Sequence, residues 1–329
     1  MTTIDTETLD IFERTLRRVL AERDRDADAT AALVEIGWRD FLAVEPAQVI
    51  PLVLRHLGEL VLPSTVLDDV AFASLHGDGA ARFGDDVAFA HPRRGVAGAW
   101  FTDSDTEVSF DALVLGGRRP RSLVLIATAG DDLRVVTLSG DAVDPVAVDG
   151  IDSALGLMCV RGTAPASDVV LADDLDAGAV PIACRRALAY ELVGLTESML
   201  AMATEYAKVR TQFGQPIGAF QAVKHRVADV FVAVRAARVV VDESWSSDPE
   251  PMTVAAKCLA AGAAAVASQN CLQVLGAIGF TLEHELNRFI RRAKVLDRLY
   301  GSERELRGEL GRSLRTRGAM PRPGTFSDR

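Results

Sequence analysis

Apolar positions recur every three to four residues at both ends of this chain and gather into short bounded runs through its middle. Leu9, Phe12, Leu16 and Leu20 keep the spacing of one helix face. Val49, Leu52, Leu57, Leu60 and Leu62 predict a second helix that Pro63 ends, with Trp38 and Phe41 as core anchors between the two. From 85 to 175 the texture changes. Val87–Ala90, Gly98–Phe101, Ala112–Leu115, Leu123–Ala127 and Arg134–Leu138 are apolar or β-branched runs flanked by Gly, Asp, Pro or Ser, which predicts antiparallel strands closed into a barrel or stacked as a sandwich. Helical spacing returns at 181–313. Leu188, Leu192, Leu195, Met199, Met202 and Tyr206 form one stripe, and Phe220, Val223, Val227, Val230 and Val234 form the next; both predict core faces. An Ala-rich stretch at 253–275, a helix from Leu286 to Leu299 and a shorter one from Glu303 to Leu314 complete a bundle. The predicted class is α+β: a helical domain at 1–84, a β domain at 85–178, a four-helix bundle at 179–314 and a disordered tail at 315–329.

Composition narrows the function. The chain has 329 residues, enough for about two domains, and its 49% hydrophobic content supplies a packed core. A net charge of −10 argues against general nucleic-acid binding. The sequence shows no long uninterrupted apolar run and no leader pattern at Met1–Asp5, so no membrane span and a cytoplasmic location are expected. Cys159, Cys184, Cys258 and Cys271 sit in apolar contexts without a Cys-x-x-Cys pair, which reads as reduced core residues and no metal site.

Two stretches carry chemistry. The first is Arg210-Thr211-Gln212-Phe213-Gly214-Gln215-Pro216-Ile217, followed by Gln221. The second is Gln273-Val274-Leu275-Gly276-Ala277-Ile278-Gly279-Phe280. An arginine fork pairs bidentately with phosphate oxygens, and glycines let backbone N–H groups approach a polyanion. Arg210 could instead pair with Glu205 or offset a helix C-terminus, and Gly214-Gln215-Pro216 could be a plain turn. Together and in this order, the two stretches resemble the C-terminal helical domain of the acyl-CoA dehydrogenase family. The order helix, β, helical bundle is that family's as well, with a shortened N-terminal domain here. The resemblance implies that Arg210, Gln212, Phe213, Gln221, Gln273, Gly276 and Ala277 hold FAD belonging to a neighbouring subunit. Ala277 stands where the family usually has a second glycine.

The family removes the acyl α-proton with a glutamate while flavin takes the β-hydride. The usual place of that glutamate matches Tyr300, and the place used by a minority matches Cys184. Neither replaces a carboxylate base cheaply. Glu191, Glu197, Glu303 and Glu305 are the other candidates, and each reads more readily as a surface or ion-paired residue, so no catalytic residue is assigned. The family's two middle-domain segments against the isoalloxazine ring have no counterpart, and Trp100-Phe101-Thr102-Asp103 is the nearest echo. Retained cross-interface contacts beside a degraded site resemble the small subunit of actinobacterial α2β2 acyl-CoA dehydrogenases that act on steroid-derived CoA thioesters. That resemblance implies a larger catalytic partner and an acyl-CoA substrate. A self-sufficient homo-oligomeric dehydrogenase and a flavin-free scaffold remain as alternatives.

Overall fold

The computed structural model describes residues 4–75, 86–102, 106–245, 249–281 and 284–318. The chain divides into two compact units. One comprises Met1–Val49, Leu62–Cys184 and Arg298–Gly301; the other comprises Ile50–Val61, Arg185–Asp297 and Ser302–Arg329.

Helices come first: α1 (Thr6–Ala21), α2 (Thr30–Glu35), α3 (Trp38–Val44), α4 (Pro46–Leu60) and α5 (Val66–Ser74). Asp5 caps α1 by accepting the Thr8 N–H at 2.7 Å, and Phe12, Leu16 and Leu20 bury its apolar face. Spacing alone predicts two helices in this zone. The chain makes more because Gly37 turns left-handed at φ 86° and Pro46, preset for a first helical turn, starts α4. Trp38 is fully buried, as a core anchor should be, and its indole N–H donates to Asp69 at 3.0 Å. Burial raises the Asp69 pKa, and the neighbouring Arg39 charge opposes that rise.

The same unit carries one sheet. Its main path is β7 (Val146–Ala147), β8 (Met158–Pro165), β4 (Glu107–Val114), β3 (Ala99–Phe101), β5 (Ser122–Ala129), β6 (Asp132–Ser139) and β9 (Val169–Leu171). β1 (Val87–Phe89) adds to β5, and β2 (His91–Pro92) adds to β4. β4 alternates in burial, so Val108, Phe110, Ala112 and Val114 face a core shared with Leu123, Leu125, Val136 and Val160. All five predicted runs are strands. The sheet is mixed where an antiparallel barrel was expected: β1 and β3 both run parallel to β5, and the path does not close among the described residues. A short apolar run marks burial but carries no strand direction, so the sequence could not show this.

The second unit is helical: α4 from Ile50, α6 (Ala179–Val209) from Arg185, α7 (Gln221–Glu243), α8 (Pro249–Leu275), α9 (Leu286–Arg298) to Asp297, and α10 (Glu303–Arg317). This is the expected bundle. The call of a disordered tail falls largely outside the described residues. α4 crosses α6 at backbone contact: a Cβ on Gly58 would lie 2.2 Å from the Glu191 carbonyl oxygen, and one on Gly194 would lie 2.1 Å from that of Arg55. Side chains at either position would force the helices apart. The stripe predicted on α7 needs correction. Val230 and Val234 are buried, together with Ala237 and Val241, but Val223 and Val227 line an open groove and Phe231 is half exposed. The helix has a second apolar face, and periodicity cannot say which of two faces meets the core.

α8 is long and apolar enough by length and composition to cross a membrane, at a mean hydropathy of 1.3, yet half of that stretch is buried in the protein. It is the helix along which both α7 and α10 pack. It also buries a cation, Lys257, whose ammonium donates to the Asp297 carbonyl at 3.0 Å. Burial pushes the Lys257 pKa down to about 7, against an ordinary value of 10.5. The unfolded chain therefore binds more protons between those two values, and stability rises with pH through that window. Urea unfolding across it should show the rise, and Lys257→Met should flatten it while stabilising the fold most at the acidic end. A wild-type slope retained in Lys257→Met would refute the assignment.

Candidate functional site

Arg210 follows the last turn of α6 and opens a two-stranded hairpin, β10 (Thr211–Gln212) and β11 (Gln215–Pro216). Its turn residues, Phe213 at φ 53° and Gly214 at φ 80°, are both left-handed. A two-residue hairpin needs this geometry; glycine adopts it freely, whereas phenylalanine adopts it under strain. Phe213 is 92% exposed and meets Phe220 edge-on, with ring centroids 6.1 Å apart. Glu205 is taken by Lys208 at 2.6 Å. The Arg210 guanidinium has no hydrogen-bond or ion-pair partner among the described residues, so the alternative pairing with Glu205 is not made. Gln212 and Gln221 are exposed, the latter as the first residue of α7.

The second stretch ends α8. Gln273 lies in its last turn with its side chain exposed, Gly276 is left-handed at φ 64°, and Ala277 is exposed in the 3-10 turn that follows. α7 and α8 are antiparallel neighbours, so Gln221 and Gln273 emerge at the same end of the pair. Arg226 of α7 donates to Asn270 Oδ1 of α8 there, at 2.9 Å. A free guanidinium, exposed amides and an unhindered left-handed glycine together suit a phosphate-bearing cofactor.

The positions matching the catalytic base lie in the other unit, and they are closed. Tyr300 and Cys184 have no exposed surface. The Tyr300 hydroxyl sits 2.9 Å from His91 Nδ1, and His91 Nε2 sits 2.8 Å from Asp68 Oδ1. Asp68 and Tyr300 thus each occupy one ring nitrogen of His91. Asp68 Oδ2 also accepts the Phe89 N–H at 3.2 Å. Phe72, Phe89, His91 and Tyr300 pack ring to ring beside this chain of bonds. Cys184 hydrogen-bonds to Tyr300, and burial pushes its thiol up to about 12. Tyr300 (φ 56°) and Gly301 (φ 101°) are both left-handed.

The glutamates named as other candidates are committed elsewhere. Glu191 is buried and accepts from Arg292 at 3.3 Å. Glu197 meets Arg238 at 3.2 Å. Glu303 pairs with Arg307, and Glu305 closes a capping box on Ser302 at the start of α10. Asp68 and His91 were missed in the sequence reading, and no local signal marks them. The tyrosine they serve is 209 residues beyond His91. All four cysteines are free, and no cluster suited to a metal ion occurs among the described residues.

The sequence profile described as "Acyl-CoA dehydrogenase, C-terminal domain" matches residues 183–314, which span both the hairpin and the end of α8. The chain is 32% identical over 300 residues to the acyl-CoA dehydrogenase IpdE2 of Mycobacterium tuberculosis, covering 90% of this chain and 85% of that protein. Among solved structures it is similar to the ChsE4–ChsE5 complex of Mycobacterium tuberculosis, with TM-score 0.75 and 20% identity over 96% of this chain and 99% of that one. It is also similar to the Tcur3481–Tcur3483 steroid ACAD, G363A variant, with TM-score 0.76 and 19% identity over 95% of this chain and 99% of that one. This chain belongs to the acyl-CoA dehydrogenase family, a family of FAD-dependent oxidoreductases.

Thiol accessibility tests the closed interior. Cys159 is partly exposed, while burial raises the thiol pKa of Cys184, Cys258 and Cys271. A native alkylation experiment read by mass spectrometry should label Cys159 and spare the other three until the protein unfolds. Labelling of native Cys184 would show that its surroundings open.

Proposed function

We propose that this chain is the non-catalytic subunit of an α2β2 FAD-dependent acyl-CoA dehydrogenase, lending half a cofactor cradle to a larger catalytic partner. The observation that carries the reading is the Asp68–His91–Tyr300–Cys184 cluster. Where the family's base would stand, this chain has a buried, hydrogen-bonded tyrosine beside a protonated thiol. A general base must reach its proton at hydrogen-bond distance, and these groups reach each other. The carboxylates that could substitute are held in ion pairs or a helix cap.

The hairpin end of the bundle keeps what a shared cofactor needs. FAD would supply the hydride acceptor. Arg210 would pair with its pyrophosphate, Gln212, Gln221 and Gln273 would offer amide hydrogen bonds, Phe213 would present an aromatic face, and the backbone at Gly276 and Ala277 would approach closely. Two further observations favour assembly with a different chain. The similar solved structures named above are complexes of two different chains. α7 also exposes Phe231, Val232 and Val239 beside an apolar groove of about 470 Å³ lined by Leu200, Ala207, Val223 and Val227. Patches of that kind mark interfaces. The steroid-type similarity favours a bulky polycyclic acyl-CoA as substrate, with oxidation to a 2,3-enoyl-CoA in the cytoplasm.

Co-expression with the partner should give a flavin-loaded tetramer of two chains each, while this chain alone should aggregate or carry no flavin. A stable, active homotetramer of this chain would overturn the reading. A charge-assisted phosphate contact contributes about 1.5–3 kcal/mol, so Arg210→Ala in the complex should weaken FAD retention by roughly tenfold to a hundredfold. Full flavin content after dialysis would remove Arg210 from the cradle. Turnover checks the base. Tyr300→Phe should change kcat by less than about tenfold, because removing a general base costs about 10² to 10⁴, and the glutamate→Gln variant of the partner should abolish flavin reduction. A collapse of kcat in Tyr300→Phe, with its flavin retained, would make this subunit the catalytic one.

A further inference from the structure

We propose that Arg226 and Asn270 are positioning residues for the shared cofactor, their hydrogen bond acting as the pin that fixes the register of α7 against α8. This rests on the flavin reading of the hairpin and the end of α8. The two helices pack along each other and bury mainly small or β-branched side chains, Val230, Val234, Ala237 and Val241 on α7 and a run of alanines on α8. Such surfaces are smooth. They bring helices together strongly but distinguish weakly between neighbouring registers, and a polar pair in an apolar seam is a known way to select one.

The Arg226–Asn270 bond, at 2.9 Å and partly buried, is such a pair. Its direction is unambiguous, since a guanidinium only donates and Asn270 must present its oxygen. Its place matters more than its strength. At about 1.5 Å of rise per residue, Arg226 lies about 8 Å along α7 from Gln221, and Asn270 about 5 Å along α8 from Gln273. The pin therefore stands just behind both ends that carry predicted cofactor contacts. A slip of one residue would move Gln221 against Gln273 by about 1.5 Å, several times the tolerance of a hydrogen bond. Arg210 has no partner among the described residues, whereas Arg226 donates to Asn270.

The test uses the purified complex with its partner and follows FAD release by flavin fluorescence after dilution. The variants are Arg226→Ala, Asn270→Ala, the double variant and Asn270→Asp, with Arg210→Ala as reference. Arg226→Ala and Asn270→Ala should each speed release by about threefold to tenfold, the range one net hydrogen bond supports. The double variant should match the singles because both remove the same bond, and Asn270→Asp, which keeps the acceptor, should restore slow release. The thermal midpoint of the flavin-free complex should stay near wild type in every case. An effect of Arg226→Ala without one of Asn270→Ala would mean that Arg226 touches the cofactor itself, and the pin would be overturned. It would also be overturned if release merely tracked lost thermal stability. If Arg210→Ala releases flavin and neither pin variant does, the pin fails while the cradle reading stands. If Arg210→Ala also retains its flavin, the cradle reading fails and the pin falls with it.

Discussion

An imidazole held between a carboxyl group and a phenol organises the interior of the first unit. His91 uses both ring nitrogens, one toward Asp68 and one toward Tyr300, and all three side chains lie out of water. Buried polar groups are tolerated only when satisfied, so each member depends on the other two. The chain of bonds ties α5, the β2 strand and the Arg298–Gly301 turn into one body. It also leaves Tyr300 and Cys184 without exposed surface.

The second unit shows the opposite arrangement. Its hairpin and the end of α8 are exposed: Arg210 has no partner among the described residues, the side chains of Gln212, Gln221 and Gln273 face solvent, and so does a phenylalanine on a strained turn. Groups so placed contribute little to the stability of the unit itself. The close crossing of α4 and α6 at Gly58 and Gly194 supplies rigidity without using any polar group of the hairpin.

The fold was legible where burial is periodic. Leu188, Leu192, Leu195 and Met199 are buried as their spacing implies, and each apolar run of the middle region became a strand. Legibility failed where the same pattern has two meanings. Val223 and Val227 continue the stripe of Val230 and Val234 but face open space, because an apolar helix face looks the same whether its own chain or another covers it. The parallel pairing of β1 and β3 with β5 was invisible for a related reason, since neither strand carries a mark of direction. The hairpin residues could be named from the sequence because they lie close together in the chain. The Asp68–His91–Tyr300 chain could not, because only the fold brings those residues together, and each alone reads as an ordinary polar residue.

The left-handed turn at Tyr300 and Gly301 bears on what position 300 can hold. Glutamate there would set a second carboxylate against His91, opposite Asp68, in the buried interior. An uncompensated buried charge costs about 3–5 kcal/mol, a large share of the stability of a typical domain. Accepting that charge would need Asp68 or His91 to change as well, so the turn and its polar neighbours together choose the side chain that position 300 can hold.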